Sequence, residues 1–140
     1  MEDLRGRMPT SVEEIVRWAT PIMTFRRTAS RDCELNGRHI LAGEKVIMFY
    51  ASANWDPEVF VRPEVLDLSR SPNPHVSFGG GGIHHCLGNQ LARRQLAAIF
   101  TELLTRLPDI RVVGEPTYST GNFFHGVNKM MVRFTPEGSR

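Results

Sequence analysis

The stretch Phe78 to Gly88 reads F-G-G-G-G-I-H-H-C-L-G, and it constrains this chain more than any other. Four consecutive glycines remove every Cβ from part of the loop, so the backbone can take φ > 0 and lie flat against a planar surface. Cys86 comes just ahead of an amphipathic helical pattern. The partial positive charge of that helix N-terminus and the nearby backbone N–H groups are placed to stabilise a thiolate. A chain with this segment has to bring a helix end, a cysteine and a Cβ-free backbone to one place.

Plainer readings of the loop compete. A Gly-rich turn ahead of a helix is most often only a turn, or a cradle for phosphate. The G-x-G-x-x-G pattern would need a glycine where His85 stands, and no Gly-Lys-Ser/Thr follows. Zinc ligands usually have two to four residues between them, which His84, His85 and Cys86 do not. An inert buried side chain is the commonest fate of a lone cysteine. Against that, His84 stands two residues before Cys86, Gly88 two after, and Leu91-Ala92-Arg93 beyond. A flat surface, a thiolate and a close backbone describe the proximal side of a thiolate-ligated haem. The run resembles the cysteine-ligand loop of the cytochrome P-450 family of haem-thiolate monooxygenases.

Composition sets wide bounds. The 140 residues suffice for about one domain, with 41% hydrophobic and 23% charged residues. A formal charge of +2 gives no ground for a nucleic-acid partner. The longest apolar run, Val46 to Ala51, is far short of a membrane span, and no signal-peptide pattern opens the sequence. Two cysteines, Cys33 and Cys86, make no disulfide framework, so a reducing cytoplasm is the expected compartment, with no membrane anchor.

Taken in order, Met1 to Pro9 reads as a polar lead-in. Ser11-Val12-Glu13-Glu14 offers a capping box, and Val12, Ile15, Val16 and Trp18 an apolar helical stripe that Pro21 ends. Glu14-Ile15-Val16-Arg17 is an E-x-x-R, which on any helix surface is an ion pair worth a few tenths of a kcal/mol. Capping Ser11 and pairing with Arg17 are competing uses of Glu14. Ile22 to Thr28 reads as a strand. Cys33-Glu34-Leu35 and Arg38-His39-Ile40 flank Asn36-Gly37, a strong hairpin signal, and an apolar strand follows at Val46 to Tyr50. Pro57, Pro63, Pro72 and Pro74 break Ala51 to Ser77 into short pieces. Leu96, Ile99, Phe100, Leu103 and Leu107 form a one-face helical stripe ending at Pro108. Short β-like segments surround Ile110 to Val113 and Val127 to Phe134.

The resemblance extends over residues 1–140. It implies a mainly α fold with small β-sheets: K helix, β-hairpins, meander, cysteine-ligand loop, L helix and terminal hairpin. These would form a single C-terminal haem-binding portion of a larger monooxygenase domain. By resemblance Glu14 pairs with Arg17 on the K helix, and Arg70 joins them. By the same resemblance Cys86 would ligate the iron of haem b and be the catalytic residue. Arg27, His75 and His84 anchor the propionates, while Phe78, Gly82 and Gly88 shape the loop and helix against the porphyrin. Phe78 stands eight residues before Cys86, one more than in the commonest form of the motif. Met23, Thr24, Phe123 and Phe124 fall where family members face the substrate. Arg93 and Arg94 are either a solvated helix edge or part of a basic face for an acidic electron donor. The implied activity is hydroxylation of an apolar substrate, a sterol or methyl-branched lipid, with electrons from a ferredoxin and an NAD(P)H reductase. The alternative is a haem-binding or structural remnant without turnover.

Overall fold

Helix α1 runs over Glu2–Ala19 in the computed structural model, which describes residues 2–136. The expected lead-in is therefore helical from Glu2, with Pro9 inside the helix. Proline removes one helical N–H bond, a cost that tertiary contact can offset. Here Met8, Val12 and Val16 share one face and are buried, with Phe78, Leu96, Ala97 and Phe100 packed against them. Ser11 is mid-helix and caps nothing. Its hydroxyl, like that of Thr10, turns to the Leu68 carbonyl. That leaves Glu14 free for Arg17.

Strand β1 (Thr24–Thr28) pairs antiparallel with β4 (Lys45–Phe49), placing Arg27 opposite Val46. Between them, β2 (Cys33–Leu35) and β3 (Arg38–Ile40) form the hairpin. Its turn has φ of +49° at Asn36 and +77° at Gly37, as a two-residue turn with both centres left-handed requires. Tyr50 leaves β4 and starts the one-turn helix α2 (Tyr50–Asn54). Turns carry the chain to α3 (Asn89–Arg106), which packs on α1. Its inner face toward α1 is Leu96, Ala97 and Phe100, whereas Ile99 is 58% exposed and lines an open surface groove with Leu103 and Leu107. Strands β6 (Thr117–Tyr118) and β7 (Val127–Lys129) pair inside the outer pair β5 (Arg111–Val112) and β8 (Val132–Arg133). The Asp109 carboxylate closes that end, accepting from the amide and hydroxyl of Thr135.

The most deeply buried large side chains are polar: Arg17, Glu14 and Asn54. Arg17 donates to both Glu14 oxygens at 2.8 Å and to the Asn54 carbonyl at 2.8 Å. Arg70 Nε, Asn73 Nδ2 and the Asp67 amide also donate to Glu14, each at 3.0 Å. Burial pushes the Glu14 carboxyl up, but bonds from Arg17, the Asp67 amide and Arg70 outweigh it and hold it below the ordinary value. Its stabilisation is thus present above the ordinary value and is lost as pH falls through the folded one. Asn54 completes the frame. Its amide donates to Thr20 and Ser77 and its carbonyl accepts from the Val76 amide, fixing the chain that enters the glycine loop.

Arg17→Ala leaves the Glu14 carboxylate buried with fewer partners and should cost about 3–5 kcal/mol in denaturant unfolding. A loss within about 0.5 kcal/mol would mark a solvated pair instead.

Candidate functional site

The glycine loop hangs from the frame just described. Ser77 donates its hydroxyl to the Val16 carbonyl, so Phe78 starts the loop from a position fixed against α1. The loop closes on itself where the Cys86 amide donates to the Phe78 carbonyl at 2.9 Å. Gly79, Gly81 and Gly82 take φ of +92°, +100° and +76°, a region that other residues rarely adopt. The Asn89 side chain donates to the Cys86 carbonyl at 2.7 Å, and Gly88 caps α3. The N-terminal, positive end of α3 therefore starts two residues past the cysteine.

A cavity of about 560 Å³ opens beside Cys86. This lies within the range of cofactor and ligand sites, roughly 300–1,000 Å³. Val16, Ile22, Phe25 and Leu96 give it apolar walls, and Arg27, Phe78, His84 and Cys86 reach it from two separate parts of the chain. Cys86 is a free, exposed thiol. Gly82 and Gly88 lie in the loop and at its exit rather than in the wall. A Cβ added at Gly88 would meet only Cys86 Sγ, at 4.0 Å, so protein atoms alone do not demand glycine there.

His75 is placed differently from expectation. Its Nδ1 accepts from the Ser77 amide at 3.2 Å, so Nε2 carries the proton and donates to Glu13 at 2.9 Å. The ring thus has protein partners on both sides and does not line the cavity. Met23, Thr24, Phe123 and Phe124 do come together. The Met23 amide donates to the Phe123 carbonyl, Thr24 to the Asn122 carbonyl, and Phe124 bridges to Ile22. Phe123 packs edge-on to Phe25, which reaches the main cavity wall.

The sequence gives no hint of Glu13. It bonds Arg93 in a two-pronged pair across 80 residues, and this makes Arg93 a half-buried tie between α1 and α3 rather than a solvated edge. The Arg93 hydrogen bonds hold the Glu13 carboxyl below its ordinary value despite partial burial.

A haem suits this donor set. One thiol stands in an apolar wall, with Arg27 and His84 placed to donate hydrogen bonds to two propionates. Among the described residues, no group of three or more His, Cys, Asp or Glu side chains could hold a metal ion directly.

The cytochrome P-450 family model matches residues 7–108. The methyl-branched lipid omega-hydroxylase of Mycobacterium tuberculosis is 47% identical over 133 residues, which is 95% of this chain and 31% of that protein. The steroid C26-monooxygenase of Mycolicibacterium smegmatis is 44% identical over 134 residues, 96% of this chain and 31% of that protein. A Mycobacterium marinum cytochrome P-450 solved in complex with pseudoionone superposes with a TM-score of 0.91 at 63% identity, over 95% of this chain and 32% of that one. The chain thus spans about a third of the length of these relatives.

Burial depresses His75 below 6.5, against the opposing pull of Glu13. Protonation would also displace the Ser77 amide from Nδ1. Its contribution to stability is therefore complete above pH 6.5 and is lost as pH falls through the depressed folded value. In thermal unfolding at stepped pH, His75→Gln should flatten the decline that the unmodified chain shows below 6.5. Parallel pH profiles would refute this.

Proposed function

The chain belongs to the cytochrome P-450 family, and we propose that residues 1–140 are one haem-binding portion of a larger monooxygenase domain that hydroxylates an apolar lipid. The observation that carries this reading is Cys86, held at the end of a Cβ-free loop in the wall of an apolar cavity that Arg27 and His84 also reach. Cys86 would ligate the iron of haem b. Arg27 and His84 would take its propionates, since both stand in the wall, whereas His75 is engaged by Glu13 and Ser77. Bound there, the haem supplies activation of dioxygen, with insertion of one oxygen atom into a C–H bond at the expense of two electrons.

The chain's own residues do the rest. The loop amides and the N-terminus of α3 set the electrostatic surroundings of the sulfur. Phe25, Phe123 and the apolar wall supply one apolar side of the pocket. Met23, Thr24, Phe123 and Phe124 would meet the substrate, since they cluster beside Phe25. A sterol side chain or methyl-branched lipid is the substrate class suggested by the activities of these relatives. A ferredoxin with an NAD(P)H reductase is the proposed electron source and the cytoplasm the proposed compartment. Among the described residues, no helix is long and apolar enough to cross a membrane.

In the haem-loaded full-length protein, Cys86→Ser should abolish the long-wavelength Soret band of the ferrous–carbonyl complex and Cys33→Ser should leave it. The reverse assignment would overturn the reading. Supplied with ferredoxin, reductase, NAD(P)H and a panel of branched lipids and steroids, the full-length protein should form hydroxylated product. Haem binding without product would favour the alternative of a haem-binding protein without turnover. The 140 residues alone present an exposed Cys86, and monooxygenation needs a dry pocket. By themselves they should bind haem heterogeneously and give no product matched to electron consumption.

A further inference from the structure

Phe78 is gripped from outside the glycine loop. The Arg93 guanidinium lies 4.4 Å from the centroid of its ring, and the His75 ring packs 5.9 Å away. Arg93 is itself fully engaged. It donates through Nε and Nη2 to the two Glu13 oxygens and through Nη1 to Asn89 Oδ1 at 2.7 Å. Asn89 then returns to the loop by donating to the Cys86 carbonyl. The Cys86 amide closes the circuit on the Phe78 carbonyl. One ring of contacts thus runs from Arg93 through Asn89, Cys86 and Phe78 back to Arg93, and Glu13 holds Arg93 from α1.

We propose that Glu13 and Arg93 are positioning residues for Cys86: their ion pair clamps Phe78 and Asn89 on either side of the cysteine, and the Arg93 charge sets how strongly the sulfur donates to a bound iron. This deepens, and rests on, the assignment of Cys86 as the iron ligand. Three physical points carry it. A two-pronged guanidinium–carboxylate pair fixes orientation as well as distance. A flat guanidinium can stack on an aromatic face and restrain the ring, which a compact ammonium does less well. The pair is partly buried, with side-chain exposures of 27% and 28%, so it is less screened than a surface bridge.

The clamp and the charge can be separated. In the full-length protein, hydrogen exchange across residues 78–89 should accelerate about tenfold or more in Arg93→Gln and in Glu13→Gln, on the scale of losing a charge-assisted hydrogen bond. The β2–β3 hairpin should exchange as before. In the haem-loaded form, Arg93→Gln removes a positive charge that stands two contacts from Cys86, through Asn89. The ferric–ferrous equilibrium should move about tenfold toward ferric, a shift of 59 mV for one electron. Arg93→Lys should restore most of the potential but not the exchange protection. Phe78→Leu should add little exchange on top of Arg93→Gln, since both act on the same contact.

Unchanged exchange over 78–89 in both Arg93→Gln and Glu13→Gln would overturn the clamp. Acceleration spread equally over the hairpin would do so too, by marking a general loss of fold. An unmoved potential in Arg93→Gln would overturn the charge effect. Failure of the ligand assignment itself would show separately, as a missing thiolate Soret band in the unsubstituted protein with the exchange differences intact.

Discussion

The Glu14 carboxylate is the point from which the rest of this structure can be built. Taking a carboxylate and a guanidinium out of water costs several kcal/mol each, and only a nearly complete set of partners recovers it. Glu14 obtains that set from two segments: Arg17 on its own helix, and Arg70, Asn73 and the Asp67 amide from the chain beyond α2. Arg17 in turn reaches the carbonyls of Asn54 and Pro63, and its guanidinium sits 5.2 Å from the Phe60 ring centroid. A stretch broken by prolines and without regular structure is thereby given one path. That path delivers Val76 and Ser77 to the same helix, and the cysteine loop starts from there.

Two adjacent glutamates divide the work. Consecutive residues on a helix point about 100° apart, so Glu13 and Glu14 cannot serve the same neighbours. Glu14 faces the meandering chain and is fully buried, while Glu13 faces α3 and meets His75 and Arg93. One helix face therefore fixes where the loop begins, and the next fixes the helix in which it ends. The apolar stripe of Met8, Val12 and Val16 packs against Phe78 and α3 alongside these contacts. Position along α1 is converted into position of Cys86.

What the sequence discloses follows the range of the interactions. The Asn36-Gly37 hairpin is legible because a two-residue turn with positive φ has few other fillings. Glu14 and Arg17 are legible because three residues along a helix face one another. The cysteine loop is legible because its glycines, cysteine and helix start are contiguous. Helix α1 before Ser11 was hidden by Pro9, whose local cost is outweighed by the burial of Met8. Ile99 looked like core because it is apolar at a helical spacing, yet it lies beside the stripe that meets α1. The Glu13–Arg93 pair spans 80 residues and has no local signature at all. His75, expected by resemblance at a propionate, is held instead by Glu13 and the Ser77 amide, and the distant Glu13 has no local signature either.

This division between local and distant contacts also bears on how the 140 residues hold together. Among the described residues the buried apolar side chains are Met8, Val12, Val16 and Phe60, while Ile83 and Leu87 beside the cysteine are 96% and 100% exposed. At about 25 cal/mol per Å², so thin a core gives only a modest driving force. Order in the loop therefore depends unusually strongly on directional contacts: the Glu14 cluster, the Asn54 amide and the Glu13–Arg93 pair. Directional contacts fix geometry more sharply than apolar contact does, but they fail abruptly when one partner is lost. A cysteine that must meet an iron at one distance and angle is well served by the first property, and the second makes α1 the helix on which substitutions should be most costly.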